Sequence, residues 1–516
     1  MSAIEMQYAA VLRRLGQSGT IGQVEVNLAT DFAIDANAAG RADLTINLLQ
    51  ILVGRAPKFA KAWQLLGLAW RDQGEMERAG EAFDLAASLS PGDARIALGK
   101  AQIAFESGRP AAHLFQAVRT VAPNDGELAL STASAHVHEG RPKEGERLIE
   151  AMLERDPTWL RGLDALATMR WMAGDSDGFD RAFSESVAAR PQIFPLWLGW
   201  YRAVSQVGLW AKAKAIIADC RRRFGERIEI DAIEANMATE QGDDERAEML
   251  FARCASLDDP GTKISFIRHC LRTGQLDRAE TVGLKLVETP MAATAWPYLS
   301  TLWRLKGDAR ANWIDGNPPH IRQFDLPILP SDLDILAAHL RQLHLSTHHP
   351  PEQSLRGGTQ TQGHLFLRSD PELGAIKTLI LDACREYVDG LPPYVAGHPL
   401  LGTPRGALHF QGAWSVRLAA QGFHVVHTHP LGWISSAFYV ALPECMGPEN
   451  RNDGKAGWLQ LGAPPPDLRL DLAPYAQIEP KPGRLVLFPS TMWHGTLPFA
   501  DGERLSIAFD IRTPAR

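Results

Sequence analysis

Prolines recur through the first three hundred residues at a nearly constant interval, and that interval constrains the fold more than any other feature of the chain. Pro57, Pro91, Pro123, Pro157 and Pro191 are followed by Gly225 in the equivalent position, then by Pro260 and Pro290. The spacings are 34, 32, 34, 34, 34, 35 and 30 residues. Proline lacks a backbone donor and ends helices, so this rhythm cuts the chain into helix–turn–helix units. The clearest unit runs from Phe59 to Gly92. Trp63, Leu66, Gly67 and Trp70 fall on one face of a first helix. Gly74 marks the turn, and Ala79, Phe83 and Ala86 line the second helix. Gly67 and Ala79 let the two helices approach closely, while Trp63 and Phe83 fill the gaps between them.

The pattern resembles the tetratricopeptide repeat over roughly residues 40–310, with looser units at Trp159, Leu163 and Ala165 and at Trp197 and Trp200. The resemblance implies an all-α solenoid whose tryptophans pack its interior and whose concave face can hold a peptide or protein partner. Charge runs such as Arg221–Arg223 and Asp243–Arg246 read as solvated helix surface. A net charge of −7 gives no global electrostatic case for nucleic acid or an anionic membrane. No apolar run approaches the ~18 residues that span a bilayer. The five cysteines lack CxxC spacing, which suits a reducing compartment. The N-terminal stretch has no apolar core of a signal peptide, and a cytoplasmic location is expected.

From Trp313 the texture changes. WIDGNPPHIRQFDLPILPSD is rich in Pro, Asp and Gly and breaks the rhythm, which places a solenoid at 1–311, a linker at 312–328 and a second domain at 329–516. Two amphipathic helices are expected, Asp332 to Leu345 and Asp370 to Leu391. Between them His348 and His349, adjacent and unable to chelate together on extended backbone, read as loop surface, and Gly357–Thr361 reads as a loop. Short strands are expected at Ala413–Leu418, Gly422–His427, Ser435–Ala441, Gly457–Leu461, Arg484–Phe488 and Leu505–Ile511, the pattern of a sandwich or barrel.

Within that β-rich region His427 and His429 stand two residues apart on an extended run, so both imidazoles leave on one side. His494 follows, and ten residues later come Arg504 and Ser506, again two apart. Convergent neutral nitrogens suit a divalent metal. An arginine turned into a β core is costly unless an anion meets it, and its planar fork matches a carboxylate. A third imidazole in place of a carboxylate leaves the centre one unit more positive, and three histidines also make a good zinc site.

These stretches carry a second resemblance. WSVRL (Trp414–Leu418), HTHPLGWISSAFYVALPE (His427–Glu444) and FPSTMWHGTLPF with ERLSIAFDIR (Phe488–Arg512) resemble the double-stranded β-helix, or jelly-roll, core of Fe(II)/2-oxoglutarate-dependent dioxygenases of the prolyl-4-hydroxylase-like branch. They are especially similar to proteins in which tetratricopeptide repeats precede such a domain. The resemblance implies that His427 and His494 bind Fe(II), with His429 where the superfamily usually has Asp or Glu. It implies that Arg504, assisted by Ser506 and Tyr439 and more weakly by Ser435, holds the C5 carboxylate of 2-oxoglutarate. The implied activity is an O2-using hydroxylase acting on a peptide or protein recruited by the repeats. The alternatives are an interaction protein with a silent, cupin-like ligand-binding domain, or a three-histidine metalloenzyme that does not use 2-oxoglutarate.

Overall fold

The computed structural model describes residues 3–17, 19–446 and 454–513. Among these, nineteen α-helices run from Ala3 to Asp315 before the first strand. Their hairpins turn on glycines of positive φ: Gly40, Gly74, Gly108, Gly140, Gly174, Gly208, Gly242, Gly274 and Gly307, spaced by 32–34 residues. A Cβ is strained in that conformation, so these turns hold an even tighter period than the prolines.

Phe83 shows how one hairpin is locked to the next. It is 1% exposed. A Cβ added at Gly67 would lie 2.6 Å from its ring, and one at Gly99, on the following helix Ala94–Glu106, only 2.2 Å away. Overpacking of this kind costs about 1–3 kcal/mol. Gly99→Ala is therefore expected to lower the melting temperature of the helical signal. Gly54→Ala, whose Cβ meets nothing within 4 Å, should leave it unchanged or raise it. Equal melting of the two variants would contradict this account of the packing.

The chain divides into two compact units. One holds the residues up to Met152 together with Gln362–Thr378. In it the Ser369 N–H donates to the Ser107 carbonyl (3.1 Å), and Leu367 packs against the buried cluster that holds Met76, Ala79 and Phe83. The other holds Leu153–Thr361 with Leu379–Thr513, and so combines the later helical repeats with the β-rich region. Neither unit ends at 312–328, where the texture of the sequence changes. Apolar side chains of the last repeats are buried against loops of the sheets: Leu299 and Leu302 share one cluster with Leu468 and Trp493.

Among the described residues this second unit also holds nine strands: β1 (Arg322–Asp325), β2 (Leu355–Gln360), β3 (Phe410–His424), β4 (Ile434–Ala441), β5 (Leu459–Leu461), β6 (Ala476–Ile478), β7 (Arg484–Pro489), β8 (His494–Thr496) and β9 (Arg504–Ile511). They form two antiparallel sheets, ordered β1-β7-β4-β9-β3-β2 and β6-β5-β8. Leu459, Leu461 and Ile478 of the smaller sheet pack on Tyr439, Val486 and Phe488 of the larger one, which encloses a core between them. The helix Pro330–Leu343 packs against β4.

Three local expectations change. The strands anticipated at Ala413–Leu418 and Gly422–His427 are one continuous strand, β3, which stops at His424. Gly357–Thr361 is not a free loop: most of it lies in β2, paired to β3 with an irregularity between Arg356 and Gly358. The 312–328 segment contributes β1, whose Arg322 pairs with Leu487 of β7. Glycine and proline lowered the apparent strand character of both stretches, while pairing with an existing strand overrode it.

Candidate metal centre

His427 and His429 share a side of the backbone, but not because one strand carries both. β3 has ended, and His427 forms an isolated bridge with His494: the His427 N–H donates to the His494 carbonyl (2.9 Å) and the His494 N–H donates back (3.0 Å). Two residues on, the His429 N–H donates to the Ser490 carbonyl (3.0 Å). Pro430 has no N–H to extend the ladder. The bridge and this second tie bring the three side chains together, with one ligand atom from each within 4.8 Å of the others.

The tautomers follow from their partners. His427 Nδ1 lies 2.8 Å from the Val425 carbonyl and His494 Nδ1 lies 3.0 Å from the Met492 carbonyl. His429 Nδ1 lies 2.7 and 2.8 Å from the two oxygens of Asp510. Carbonyls and carboxylates only accept, so each Nδ1 carries a hydrogen and each Nε2 is the nitrogen turned toward the cluster. The Nε2 atoms of His427 and His429 are 3.0 Å apart. Burial, reinforced by His429, pushes His427 down to about 3, and burial pushes His494 far below the usual imidazole range. Each ring offers one nitrogen to a common point. The donor set fits a divalent metal ion.

A second set of groups faces the same cavity. Arg504 opens β9 and is 2% exposed. Its Nη1 donates to the Gly457 carbonyl (2.9 Å) and its Nη2 to Thr496 Oγ1 (3.3 Å), but its Nε has no partner. No carboxylate pairs with it among the described residues, and burial lowers its affinity for its proton. The buried Tyr439 hydroxyl is also without a partner, and Tyr439 stands opposite Ser506 in the β4–β9 register. His427, His429, His494, Tyr439, Arg504 and Ser506 all line this one cavity.

Comparison with known proteins gives two matches to protein families. Residues 412–510 match the model described as "Putative 2OG-Fe(II) oxygenase", and residues 30–94 match that described as tetratricopeptide repeat. The chain thus carries a region that matches tetratricopeptide repeats and, after it, a region that matches the putative 2OG-Fe(II) oxygenase model. Among solved structures, a tetratricopeptide repeat protein from Parabacteroides merdae is 17% identical at a TM-score of 0.30, covering 49% of this chain and 94% of that one. A prolyl-4-hydroxylase from Pseudomonas putida is 18% identical at a TM-score of 0.27, covering 37% and 92%. A comparison with curated proteins gives no match.

Ser435 does not line the cavity with Arg504. Its hydroxyl donates to Asp510 Oδ1 (2.6 Å) and lies 2.8 Å from Ser490 Oγ, so it supports His429 instead. Asp510 itself escaped sequence reasoning, although the alternation Arg504, Ser506, Ala508, Asp510 places it on the same face of β9. Gln353, Ser354, Gln360 and Trp414 also line the cavity and were not anticipated, since their spacing carries no metal signature. His424 stacks on His427 at 6.0 Å, with Nδ1 3.0 Å from Ser354 Oγ. Arg417, the other arginine of the region, faces away and pairs with Glu503. Trp493 turns from the cavity to the repeats: its Nε1 donates to Thr301 Oγ1 (3.0 Å) and approaches the Pro297 carbonyl (3.2 Å), while its ring meets Tyr298 edge-on. Among the described residues no helix is long and apolar enough to cross a membrane.

Proposed function

We propose that the protein is an Fe(II)- and 2-oxoglutarate-dependent oxygenase, a hydroxylase acting on a peptide or protein held by its repeats. The observation that carries this reading is the pairing of two unmet demands in one buried cavity. Three convergent imidazole nitrogens call for a cation, and the Arg504 Nε and Tyr439 hydroxyl call for an anion. A keto-dicarboxylate answers both, because its keto-acid end can chelate a metal while its far carboxylate reaches an arginine. In this reading His427, His429 and His494 hold Fe(II), and Arg504 with Tyr439 and Ser506 holds the distal carboxylate. The two packed sheets correspond to a double-stranded β-helix.

With 2-oxoglutarate and O2, the iron would supply oxidation of a substrate C–H bond, giving succinate and CO2. The chain's own part is to fix the imidazole tautomers, orient the cosubstrate and keep water from the buried arginine. The repeats supply the kind of surface that takes an extended peptide. The reading is tested by anaerobic calorimetry of the iron-loaded protein with 2-oxoglutarate, followed by admission of O2. Binding of one equivalent that depends on the metal, then succinate formation, is expected. No binding of 2-oxoglutarate to protein that holds iron would reject the assignment.

A further inference from the structure

The three imidazoles are not equivalent. His427 and His494 rest their Nδ1 hydrogens on neutral carbonyls, whereas His429 rests its own on a carboxylate. Asp510 is 6% exposed, and no lysine or arginine pairs with it among the described residues. It is held rather than merely enclosed. The Ser435 hydroxyl donates to Oδ1, and Ser435 is its direct cross-strand partner. A Cβ at Gly432 would lie 3.0 and 3.1 Å from its Cβ and Cγ, so the backbone opposite has been cleared to admit it. A buried carboxylate with no arginine or lysine against it is poorly compensated. It becomes well compensated when the other nitrogen of the His429 ring binds a cation.

We propose that Asp510 is the anion of this metal centre, acting through His429 in place of the carboxylate ligand that position 429 lacks. Three neutral imidazoles leave a divalent ion's charge undiminished, and Asp510, one ring away, restores the balance of a centre with two histidines and one carboxylate. Asp510 is thus a positioning residue: it fixes the tautomer and direction of the His429 ring and raises its basicity. The proposal rests on the metal-site part of the functional reading and is independent of 2-oxoglutarate.

The test is metal affinity, measured with Fe(II) under anaerobic conditions and with Co(II), whose visible spectrum reports the ligand set. Asp510→Asn keeps the shape and removes the charge. It is expected to weaken binding by roughly tenfold to a hundredfold, as loss of a partner to a ligating histidine does, while the metal-free protein melts as before. In a His429→Ala background the same change should have little further effect, because its route to the metal is gone. In a His429→Asp background the sign should reverse. Asp510 would then repel its new neighbour, and Asp510→Asn should improve metal binding, an outcome readable even if the single variant folds poorly. Affinity within about twofold of the parent in Asp510→Asn, or no reversal in the His429→Asp pair, overturns the proposal. Failure of 2-oxoglutarate to bind would reject the oxygenase reading and leave these metal measurements intact.

Discussion

His494→Ala is expected to abolish stoichiometric Fe(II) binding while the helical circular dichroism signal persists. The backbone bridge between residues 427 and 494 uses only main-chain atoms, so alanine keeps it. What disappears is one of three convergent nitrogens. If a four-ligand metal site is worth ~10–16 kcal/mol, each ligand carries about 3 kcal/mol, and its loss weakens binding by about a hundredfold or more. His427→Ala should behave alike, with a further loss of the imidazole that His424 stacks on. Full iron occupancy in either variant would show that the cluster is a structural group of buried histidines and not a metal site.

Arg504→Met separates function from stability in opposite directions. The guanidinium is buried, its Nε is unmet, and no carboxylate pairs with it among the described residues. Such a charge is a burden on the ligand-free fold, and an apolar replacement of similar length should be neutral or raise the melting temperature. Binding of 2-oxoglutarate should fall sharply: a charge-assisted contact is worth about 1.5–3 kcal/mol, or roughly tenfold to over a hundredfold. Metal affinity should change little. In thermal melts with added 2-oxoglutarate and metal, the parent should gain stability and the variant should not. A variant that still gains stability from 2-oxoglutarate would move the anion site elsewhere, and Arg417 is a poor substitute because it is already paired with Glu503.

The helical half was legible because its information is local. Proline interrupts helices wherever it stands, and a hairpin that reverses in two or three residues requires a left-handed position, which glycine meets at Gly74 and Gly208 alike. The core strands Ile434–Ala441 and Arg504–Ile511 were legible for the same reason, being short runs in which apolar residues outnumber polar ones. β1 and β2 were not, since a segment such as Leu355–Gln360 becomes a strand only because β3 offers it an edge. At the site, His427, His429, His494 and Arg504 announce themselves by residue type. Asp510 does not: a lone aspartate late in a strand has meaning only once the fold sets it against His429. Ser435 bonds Asp510 and Ser490 for a reason the sequence does not carry, because alternation gives the side of a sheet but not which of two neighbouring groups a short side chain will reach.

Trp493 precedes His494 and is tied to Pro297 and Thr301 on the helix Ala292–Lys306. The last repeats and the histidine cluster are therefore not separable cartridges. Replacing the last repeats would also replace the acceptors that seat the residue next to His494. The amide hydrogens of the segment around His494 and of that helix should exchange with solvent as one block, opening together rather than in sequence.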